Sequence, residues 1–244
     1  MSDSLAKARD AVRGARSLVA LTGAGISAES GIATFRDAMA GLWARFRPED
    51  LATPAAFQRD PATVWSWYAA RRALAAAASP NAGHRALAEL ETACAARAAG
   101  FMLVTQNVDG LHHASGSRNV VELHGNIRRV KCFEQGHPAA SWDPDAAPPR
   151  CAVCGSMLRP DVVWFGEMLP AGALDAAMHA AARCDVLLSV GTSGLVEPAA
   201  SLPFAALEAG AVVIEVNAEA TPLTPHATFA LRGPAGTILP RLAE

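Results

Sequence analysis

A glycine-rich stretch near the N-terminus has the spacing of a nucleotide-binding loop. Residues 23–28, GAGISA, follow an apolar run and match the pattern G-x-G-x-x-A. In this pattern the glycines permit a tight turn and let the backbone approach a pyrophosphate at a helix N-terminus. A glycine turn that binds no ligand would show the same sequence pattern. Residues 40–48 are no buried strand, so the ribose-binding acid that a dehydrogenase places there is not expected.

Three of the five cysteines lie in a proline-rich stretch. These are Cys132, Cys151 and Cys154, whereas Cys94 and Cys184 sit alone among apolar residues. An odd number of cysteines, with three of them clustered, favours a metal site in a reducing compartment over disulfide bonds.

Apolar runs of strand length alternate with alanine-rich helical segments. The runs are residues 18–21, 101–104, 186–190, 212–216 and, more weakly, 228–231. The helical segments between several of them are residues 84–97, 171–183 and 199–209. Alternation of this kind predicts an α/β fold with a parallel sheet and helices on both faces.

Each main strand ends in polar or glycine residues. These ends are residues 22–25 (TGAG), 105–109 (TQNVD), 191–193 (GTS) and 217–219 (NAE). In an open α/β sheet, ligands bind in the crevice outside the carboxyl ends of the strands. We therefore expect the four ends to meet in one cleft.

Two segments interrupt the alternation and predict a smaller, discontinuous lobe. Residues 39–79 carry aromatic residues in a helical pattern, and residues 127–163 carry the cysteine cluster. The remaining segments, residues 1–38, 80–126 and 164–244, would form the nucleotide-binding domain.

Composition excludes several classes of protein. The 244 residues include 21 basic and 23 acidic ones, with no basic block of the kind that nucleic-acid binders carry. No stretch free of Asp, Glu, Lys and Arg exceeds 12 residues, and a bilayer span needs about 20. The N-terminus lacks the apolar core of a secretory signal. We expect a cytoplasmic monomer that binds neither nucleic acid nor membrane.

Three longer blocks of the chain, in order, resemble the sirtuins, the NAD-dependent protein lysine deacylases. They are residues 23–37 (GAGISAESGIATFRD), 105–112 (TQNVDGLH) and 122–126 (ELHGN). Shorter matches are residues 165–167 (FGE), 191–193, 217–219 and 233–236 (GPAG). The resemblance covers nearly the whole chain. It implies a Rossmann-like fold and a reaction of NAD with acyl-lysine that yields nicotinamide, O-acyl-ADP-ribose and free lysine.

The resemblance also implies roles for individual residues. His124 is the general base that takes a proton from a ribose hydroxyl, for which the pKa of an imidazole is well suited. Asn107 and Asp109, with Gln106, hold nicotinamide and ribose where oxocarbenium character develops. Phe35 and Arg36 lie in a loop that closes over the NAD. Further NAD-binding residues implied are Gly23, Ala24, Gly25, Ser27, Ala28, Glu29, Thr34, Val108, Gly191, Thr192, Ser193, Asn217, Ala218, Glu219 and Ala235. A structural role is expected for His84, His112, His113, His179 and His226.

The cysteine cluster resembles the structural zinc module of the sirtuins, which supplies two CxxC pairs. Here only the second pair, Cys151 and Cys154, is complete, because Cys132 is followed by Phe-Glu-Gln-Gly-His137. Three thiolates with His137 as a fourth ligand would complete a tetrahedral site. A module that has lost its metal and is held by packing remains the alternative.

Tyr68 and Arg71 lie three residues apart in a helical segment and therefore on one face. An amphipathic surface pair would show the same spacing. The pair resembles the sirtuin subgroup that removes succinyl, malonyl or glutaryl groups, and Ala38 matches the small residue of that subgroup. The resemblance places the substrate against these residues and Val163, Phe165, Gly166 and Glu167.

Three alternatives to an acid-selective deacylase remain open. A plain lysine deacetylase would make Tyr68 and Arg71 incidental. A mono-ADP-ribosyltransferase would share the NAD site. A non-catalytic NAD-binding regulator would need a broken motif, yet Asn107, Asp109 and His124 are all in place.

Overall fold

Nine strands form two sheets in the computed structural model, which describes residues 2–32, 48–143, 147–170 and 172–244. The strands are β1 (Ser17–Thr22), β2 (Gly100–Thr105), β3 (Val120–Glu122), β4 (Gly125–Cys132), β5 (Pro138–Ala139), β6 (Leu158–Val162), β7 (Val186–Val190), β8 (Val212–Asn217) and β9 (Phe229–Arg232). The larger sheet has the order β3-β2-β1-β7-β8-β9 and is parallel throughout. The smaller sheet has the order β5-β4-β6 and is antiparallel.

The larger sheet has the strand order of a dinucleotide-binding fold. Successive parallel strands run outward from β1 to one edge through β2 and β3, and then to the other edge through β7, β8 and β9. The direction of winding reverses between β1 and β7, where ligands of such sheets bind. This arrangement confirms the predicted Rossmann-like α/β fold. All five predicted strands are present in this sheet, and β3, with three residues, is its one strand among the described residues that the sequence did not predict.

Helices cover both faces of this sheet because its strands alternate their side chains. Leu18 of β1 points into one core, and Val19 points into the other. The first core is closed by α1 (Ser2–Gly14), α5 (Ala82–Ala96) and α9 (Ala235–Ala243), and the second by α7 (Ala173–Ala181) and α8 (Leu202–Glu208).

The remaining helices pack mainly against the smaller sheet or border the cleft. They are α2 (Pro48–Leu51), α3 (Pro54–Arg59), α4 (Pro61–Ala77) and the single-turn α6 (Leu111–Ala114). Asp60 begins α4, where its carboxylate accepts a hydrogen bond from the N–H of Thr63 at 3.1 Å. Helix α4 then buries Trp67 and Tyr68 in one cluster with Ile127 of β4 and Trp164.

The segment after β1 differs from the expected strand-to-helix turn. Two 3-10 turns, Ala24–Ile26 and Ala28–Ser30, take the place of a regular helix. The predicted site residues Thr34, Phe35, Arg36 and Ala38 lie outside the described residues. Among the helices in the described ranges, none is long and apolar enough to cross a membrane.

Candidate active site

The glycine turn closes directly onto the end of β7. The N–H of Gly25 donates to the carbonyl oxygen of Gly191 at 2.8 Å, and the N–H of Gly23 donates to Val190 at 3.0 Å. A Cβ atom on Gly25 would lie 2.8 Å from the backbone of Gly191. Only glycine allows this approach, so the motif is required to join the two strands at the reversal of the sheet.

Asn107 presents its side-chain oxygen as the group available to a ligand. Its Nδ2 donates to the carbonyl of Gly23 at 3.0 Å and to Ser27 Oγ at 3.2 Å. These bonds use both amide hydrogens and fix the rotation of the amide. The backbone N–H of Asn107 is held by Thr105 Oγ1 at 3.0 Å. Asn107 is thus preorganised to accept a hydrogen bond from a carboxamide or a sugar hydroxyl.

Asp109 is buried at the floor of the same cleft. Its Oδ2 accepts a hydrogen bond from Ser27 Oγ at 2.8 Å, and its Oδ1 accepts one from the N–H of Leu111 at 2.8 Å. Both carboxylate oxygens therefore accept a hydrogen bond from the protein, which fixes the orientation of the side chain in the cleft.

Two histidines that were expected to be structural lie beneath these residues. His84 is fully buried, with Nε2 3.5 Å from Ser27 Oγ, and burial lowers its pKa. His112 Nε2 is 2.9 Å from Thr22 Oγ1, and burial lowers the pKa of His112 to about 3. The spacing of Asn81 and His84 at the start of α5 is a capping box, the one sequence signal that could have located His84.

His124 has the tautomer that a general base needs. Its Nδ1 lies 2.9 Å from the carbonyl oxygen of Gln106, and a carbonyl only accepts, so Nδ1 carries the hydrogen. The lone pair is therefore on Nε2. Burial lowers the pKa of His124, so the ring stays neutral at neutral pH. The backbone carbonyl of His124 also accepts a hydrogen bond from the N–H of Val163 at 2.9 Å, which ties the backbone of His124 to the residue that follows β6.

The ends of β7 and β8 form the other half of the cleft. Thr192 Oγ1 accepts a hydrogen bond from Gln106 Nε2 at 3.0 Å, and the Thr192 carbonyl accepts one from Asn217 Nδ2 at 2.9 Å. Ser193, Ala218 and Glu219 follow these strand ends and are exposed. The predicted convergence of the strand ends is confirmed, and its donors and acceptors suit the hydroxyls and phosphates of a dinucleotide.

The outer residues of the predicted NAD site are held by the C-terminal helix. The carboxylate of Glu29 accepts a hydrogen bond from the N–H of Gly236 at 2.7 Å, one residue beyond Ala235. Ala28 beside it is exposed, and Val108 on the opposite side packs against the core of the smaller sheet. Glu29 therefore joins the glycine turn to the start of α9.

The three clustered cysteines meet His137 in a metal-type arrangement. Their sulfur atoms and a ring nitrogen of His137 all lie within 4.8 Å of one another. Cys132 Sγ is 3.4 Å from Cys154 Sγ, and Cys151 Sγ is 3.7 Å from His137 Nδ1. A tetrahedral zinc with bonds of about 2.3 Å places its ligands about 3.8 Å apart, so the donor set fits one structural zinc ion.

Local backbone turns create this cluster. The N–H of Cys132 donates to the carbonyl of His137 at 2.8 Å, which folds the intervening loop back on itself. Burial raises the pKa of a thiol, yet the N–H of Gln135 and the neighbouring thiols bring the pKa of Cys132 down to about 7. A thiolate is the form that binds zinc.

The predicted acyl-binding residues Tyr68 and Arg71 lie on α4, beside the apolar cluster that contains Trp67 and Trp164. Tyr68 is buried and its hydroxyl lies 3.0 Å from Trp164 Nε1. Arg71 lies on the same helix with its guanidinium 5.0 Å from the ring of Trp67. Burial raises the pKa of Tyr68, and the positive charge of Arg71 opposes that rise.

The side chains of the FGE loop, residues 165–167 after β6, point in different directions: Phe165 faces solvent and Glu167 faces the protein. Phe165 is half exposed, and Gly166 takes a left-handed conformation with φ of 85°. The Glu167 carboxylate is occupied by Arg159 at 2.9 Å and by the N–H of Trp164 at 2.8 Å. Of the loop residues, Phe165 is the one that presents a large side chain to the outside.

Comparisons with known proteins agree with this site. Residues 23–198 match the model of the family described as the Sir2 family. The chain is 52% identical over 236 residues to NAD-dependent protein deacylase 2 of Pyrobaculum aerophilum, covering 96% of this chain and 93% of that protein. It is 51% identical over 238 residues to NAD-dependent protein deacylase 1 of Pseudomonas aeruginosa, covering 94% of each.

Solved structures show the same fold. A crystal structure of a Sir2 homolog–NAD complex superposes with a TM-score of 0.90 and 48% identity, covering 98% of this chain and 92% of that one. A Sir2–p53 peptide–NAD⁺ complex superposes with a TM-score of 0.84 and 31% identity, covering 96% and 94%.

Proposed function

The chain belongs to the Sir2 family and is an NAD-dependent protein deacylase, and within that activity we propose that it prefers lysine acyl groups that end in a carboxylate. Succinyl and malonyl groups are the proposed substrates, with acetyl as a poorer one. The single observation that carries the preference is the pairing of Tyr68 and Arg71 on α4 beside Trp164.

A carboxylate that enters a closed apolar channel loses its water and needs a cation with hydrogen bonds to replace it. Arg71 supplies a guanidinium fork, and Tyr68 supplies a hydroxyl one helical turn away. An acetyl group offers no charge to either.

We also propose the roles of the residues in the cleft. His124 Nε2 takes a proton from a ribose hydroxyl, since Nδ1 is committed to Gln106. Asn107 Oδ1 and the Asp109 carboxylate orient nicotinamide and ribose, and Thr192, Ser193 and Asn217 hold the adenosine half. The NAD supplies the bond that is broken and the acceptor for the acyl group.

Three further assignments are proposals of the same kind. The division into a nucleotide-binding domain and a small lobe of residues 39–79 and 127–163 is supported by their shared core, which includes Phe57, Trp67 and Ile127. Five free cysteines are compatible with a reducing cytoplasm. We propose a monomer that acts on acyl-lysine proteins.

The first test compares one peptide carrying succinyl-lysine, malonyl-lysine or acetyl-lysine with NAD, with products read by mass spectrometry. Arg71→Met keeps the chain length without the charge. We expect it to lower kcat/KM for desuccinylation by about 10- to 150-fold, which corresponds to the loss of a hydrogen bond to a charged group. Deacetylation should change little, because the acetyl group has no carboxylate.

Arg72→Met is the matched control for this test. Arg72 is the next residue of α4, but its Nε donates to the carbonyl of Ile127 at 2.9 Å and its guanidinium faces the ring of Trp65. It should affect both acyl substrates equally. Equal losses with Arg71→Met would show that Arg71 is structural and would leave a plain deacetylase. Transfer of labelled ADP-ribose to protein, without release of free lysine, would favour the mono-ADP-ribosyltransferase instead.

A further inference from the structure

Trp164 makes the one hydrogen bond found for the Tyr68 hydroxyl among the described residues. Its indole Nε1 is 3.0 Å from the phenol oxygen, and both side chains are buried. An indole nitrogen only donates. The phenol oxygen is therefore the acceptor in this contact, and the phenol hydrogen remains for another acceptor.

The direction of the hydrogen bond fixes what Tyr68 can offer. With an oxygen lone pair taken by Trp164, rotation of the hydroxyl is restricted and its hydrogen points away from the indole. Burial also raises the pKa of Tyr68, so the phenol remains protonated and able to donate. A carboxylate is the kind of group that accepts from such a donor, whereas the methyl of an acetyl group cannot.

The indole itself is held rigidly. The guanidinium of Arg159 stacks on the ring of Trp164 with its central carbon 3.3 Å from the ring centroid. Arg159 is in turn held by the Glu167 carboxylate and by the carbonyl of Val162 at 2.7 Å. On another side the Trp164 ring contacts Phe57, with centroids 5.3 Å apart. These contacts fix the indole so that its N–H points at the Tyr68 hydroxyl oxygen.

We propose that Trp164 is a positioning residue for acyl-group specificity: its indole N–H occupies the Tyr68 oxygen and so directs the phenol hydrogen toward the carboxylate of a succinyl or malonyl group. Glu167, which was expected to bind substrate, then acts through Arg159 and Trp164. The inference rests on the proposed preference for acidic acyl groups.

A double-mutant cycle tests this inference. Trp164→Phe keeps an aromatic ring but removes the N–H, and Tyr68→Phe removes the hydroxyl. We expect Trp164→Phe to lower kcat/KM for desuccinylation by about 3- to 10-fold while deacetylation of the same peptide changes by less than about twofold. In the Tyr68→Phe background the same change should cost desuccinylation less than about twofold, because the group that it orients is gone.

The outcomes separate the two proposals. Unchanged succinyl-to-acetyl ratios in Tyr68→Phe and Arg71→Met would overturn the acidic preference and this inference together. A lowered ratio in Tyr68→Phe, with losses from Trp164→Phe that are equal on both substrates or that add to those of Tyr68→Phe, would overturn the role of Trp164 alone.

A measurement on the unmutated protein covers the case in which Trp164→Phe does not fold. Tyr68 is the only tyrosine of the chain, so tyrosine labelled with ¹³C at Cζ, the carbon that bears the hydroxyl, gives a single NMR signal without assignment. The indole N–H of Trp164 is identified as the tryptophan signal that moves in Tyr68→Phe. With NAD omitted, a saturating succinyl-lysine peptide should shift both signals, because donation by the phenol makes its oxygen a stronger acceptor. The acetyl-lysine peptide should shift neither. Binding of the succinyl peptide with no shift of either signal would overturn the inference.

Discussion

At the scale of single residues, the role of His124 depends on what the other side of its ring contacts. The Gln106 carbonyl holds a hydrogen on Nδ1 and leaves the lone pair on Nε2, the atom that we propose as the base. Gln106 lies at the end of β2, in the segment that also carries Asn107. One loop therefore carries Asn107 and also holds the ring of His124.

His124→Ala should abolish deacylation while NAD binding stays largely intact. Loss of a general base costs about 10²- to 10⁴-fold in rate, and the contacts of Thr192 and Asn217 do not involve this ring. The rate is measured by peptide deacylation, and NAD binding by calorimetry. His179→Ala, at an exposed position of α7, is the control and should be neutral. A rate above about a tenth of the parent rate would show that another group is the base.

At the scale of elements, two short segments impose strict requirements on the residues that they contain. One is the pair of turns that holds the zinc-type cluster. The other is the start of β4, where Gly125 follows His124. Gly125 has φ of 77°, and a Cβ there would lie 2.2 Å from the carbonyl oxygen of Asp161.

Cys151→Ser should lower the melting temperature and the zinc content of the protein. The substitution removes one of the soft thiolates that would bind the metal, and the small apolar cluster beside it, with Trp65, Val130 and Leu158, supplies no ligand in its place. His137→Ala should weaken zinc binding in the same direction, whereas Cys184→Ser, remote from the cluster, should leave the zinc content unchanged. Zinc is measured by atomic emission on purified, active protein. Less than about a tenth of a zinc per chain in the parent would favour a module held by packing alone.

Gly125→Ala should destabilise the protein by more than about 2 kcal/mol and should displace His124. Its control is Gly136→Ala, because Gly136 also has a left-handed φ, of 67°, but nothing lies within 4 Å of its added Cβ. The control isolates the cost of the backbone conformation. Denaturant unfolding measures both, and equal losses would mean that the contact with Asp161 is relieved by a small backbone shift.

At the scale of the whole molecule, the sequence predicted most of the fold and the convergence of the strand ends on one cleft. Buried parallel strands are continuous apolar runs, so β1, β2, β7, β8 and β9 could be located by inspection. Strand β3 could not, because its three residues are all half-buried and carry no such run. The turn after β1 could not either, since contact with β7 rather than local preference decides its shape.

The supporting residues of the site were harder to predict than the residues of the motifs. His84 reaches Ser27 across 57 positions of the chain, and Trp164 reaches Tyr68 across 96. Contacts of this range leave no trace in local spacing. The contact of Glu167 with Arg159 could not be predicted from the sequence either, because Arg159 lies on β6 and Glu167 lies in the loop that follows it.

The protein as a whole should lose stability as the pH falls below about 6.5, in part through His112. Burial lowers the pKa of His112 to about 3. Between pH 6.5 and 3 this imidazole is therefore protonated in the unfolded chain but not in the folded one. Each pH unit in that window costs about 1.4 kcal/mol for this one residue. His112→Gln retains an N–H for Thr22 but cannot titrate.

The measurement is the free energy of unfolding at several pH values for both proteins. The slope of the parent should exceed that of His112→Gln by about one proton in this window. His226→Gln, at an exposed loop position, is the control and should match the parent. Parallel curves for the parent and His112→Gln would show that His112 is protonated in the folded state.

The contact between Gly25 and Gly191 has an evolutionary consequence. Each would place a Cβ within 3 Å of the other's backbone, so the two positions, far apart in the chain, behave as a single inherited unit. No larger residue at one can be compensated by a change at the other, because neither has a side chain left to remove. A substitution at either position should prevent folding through the same backbone clash. A saturation library of both positions should therefore recover neither single substitutions nor rescuing pairs.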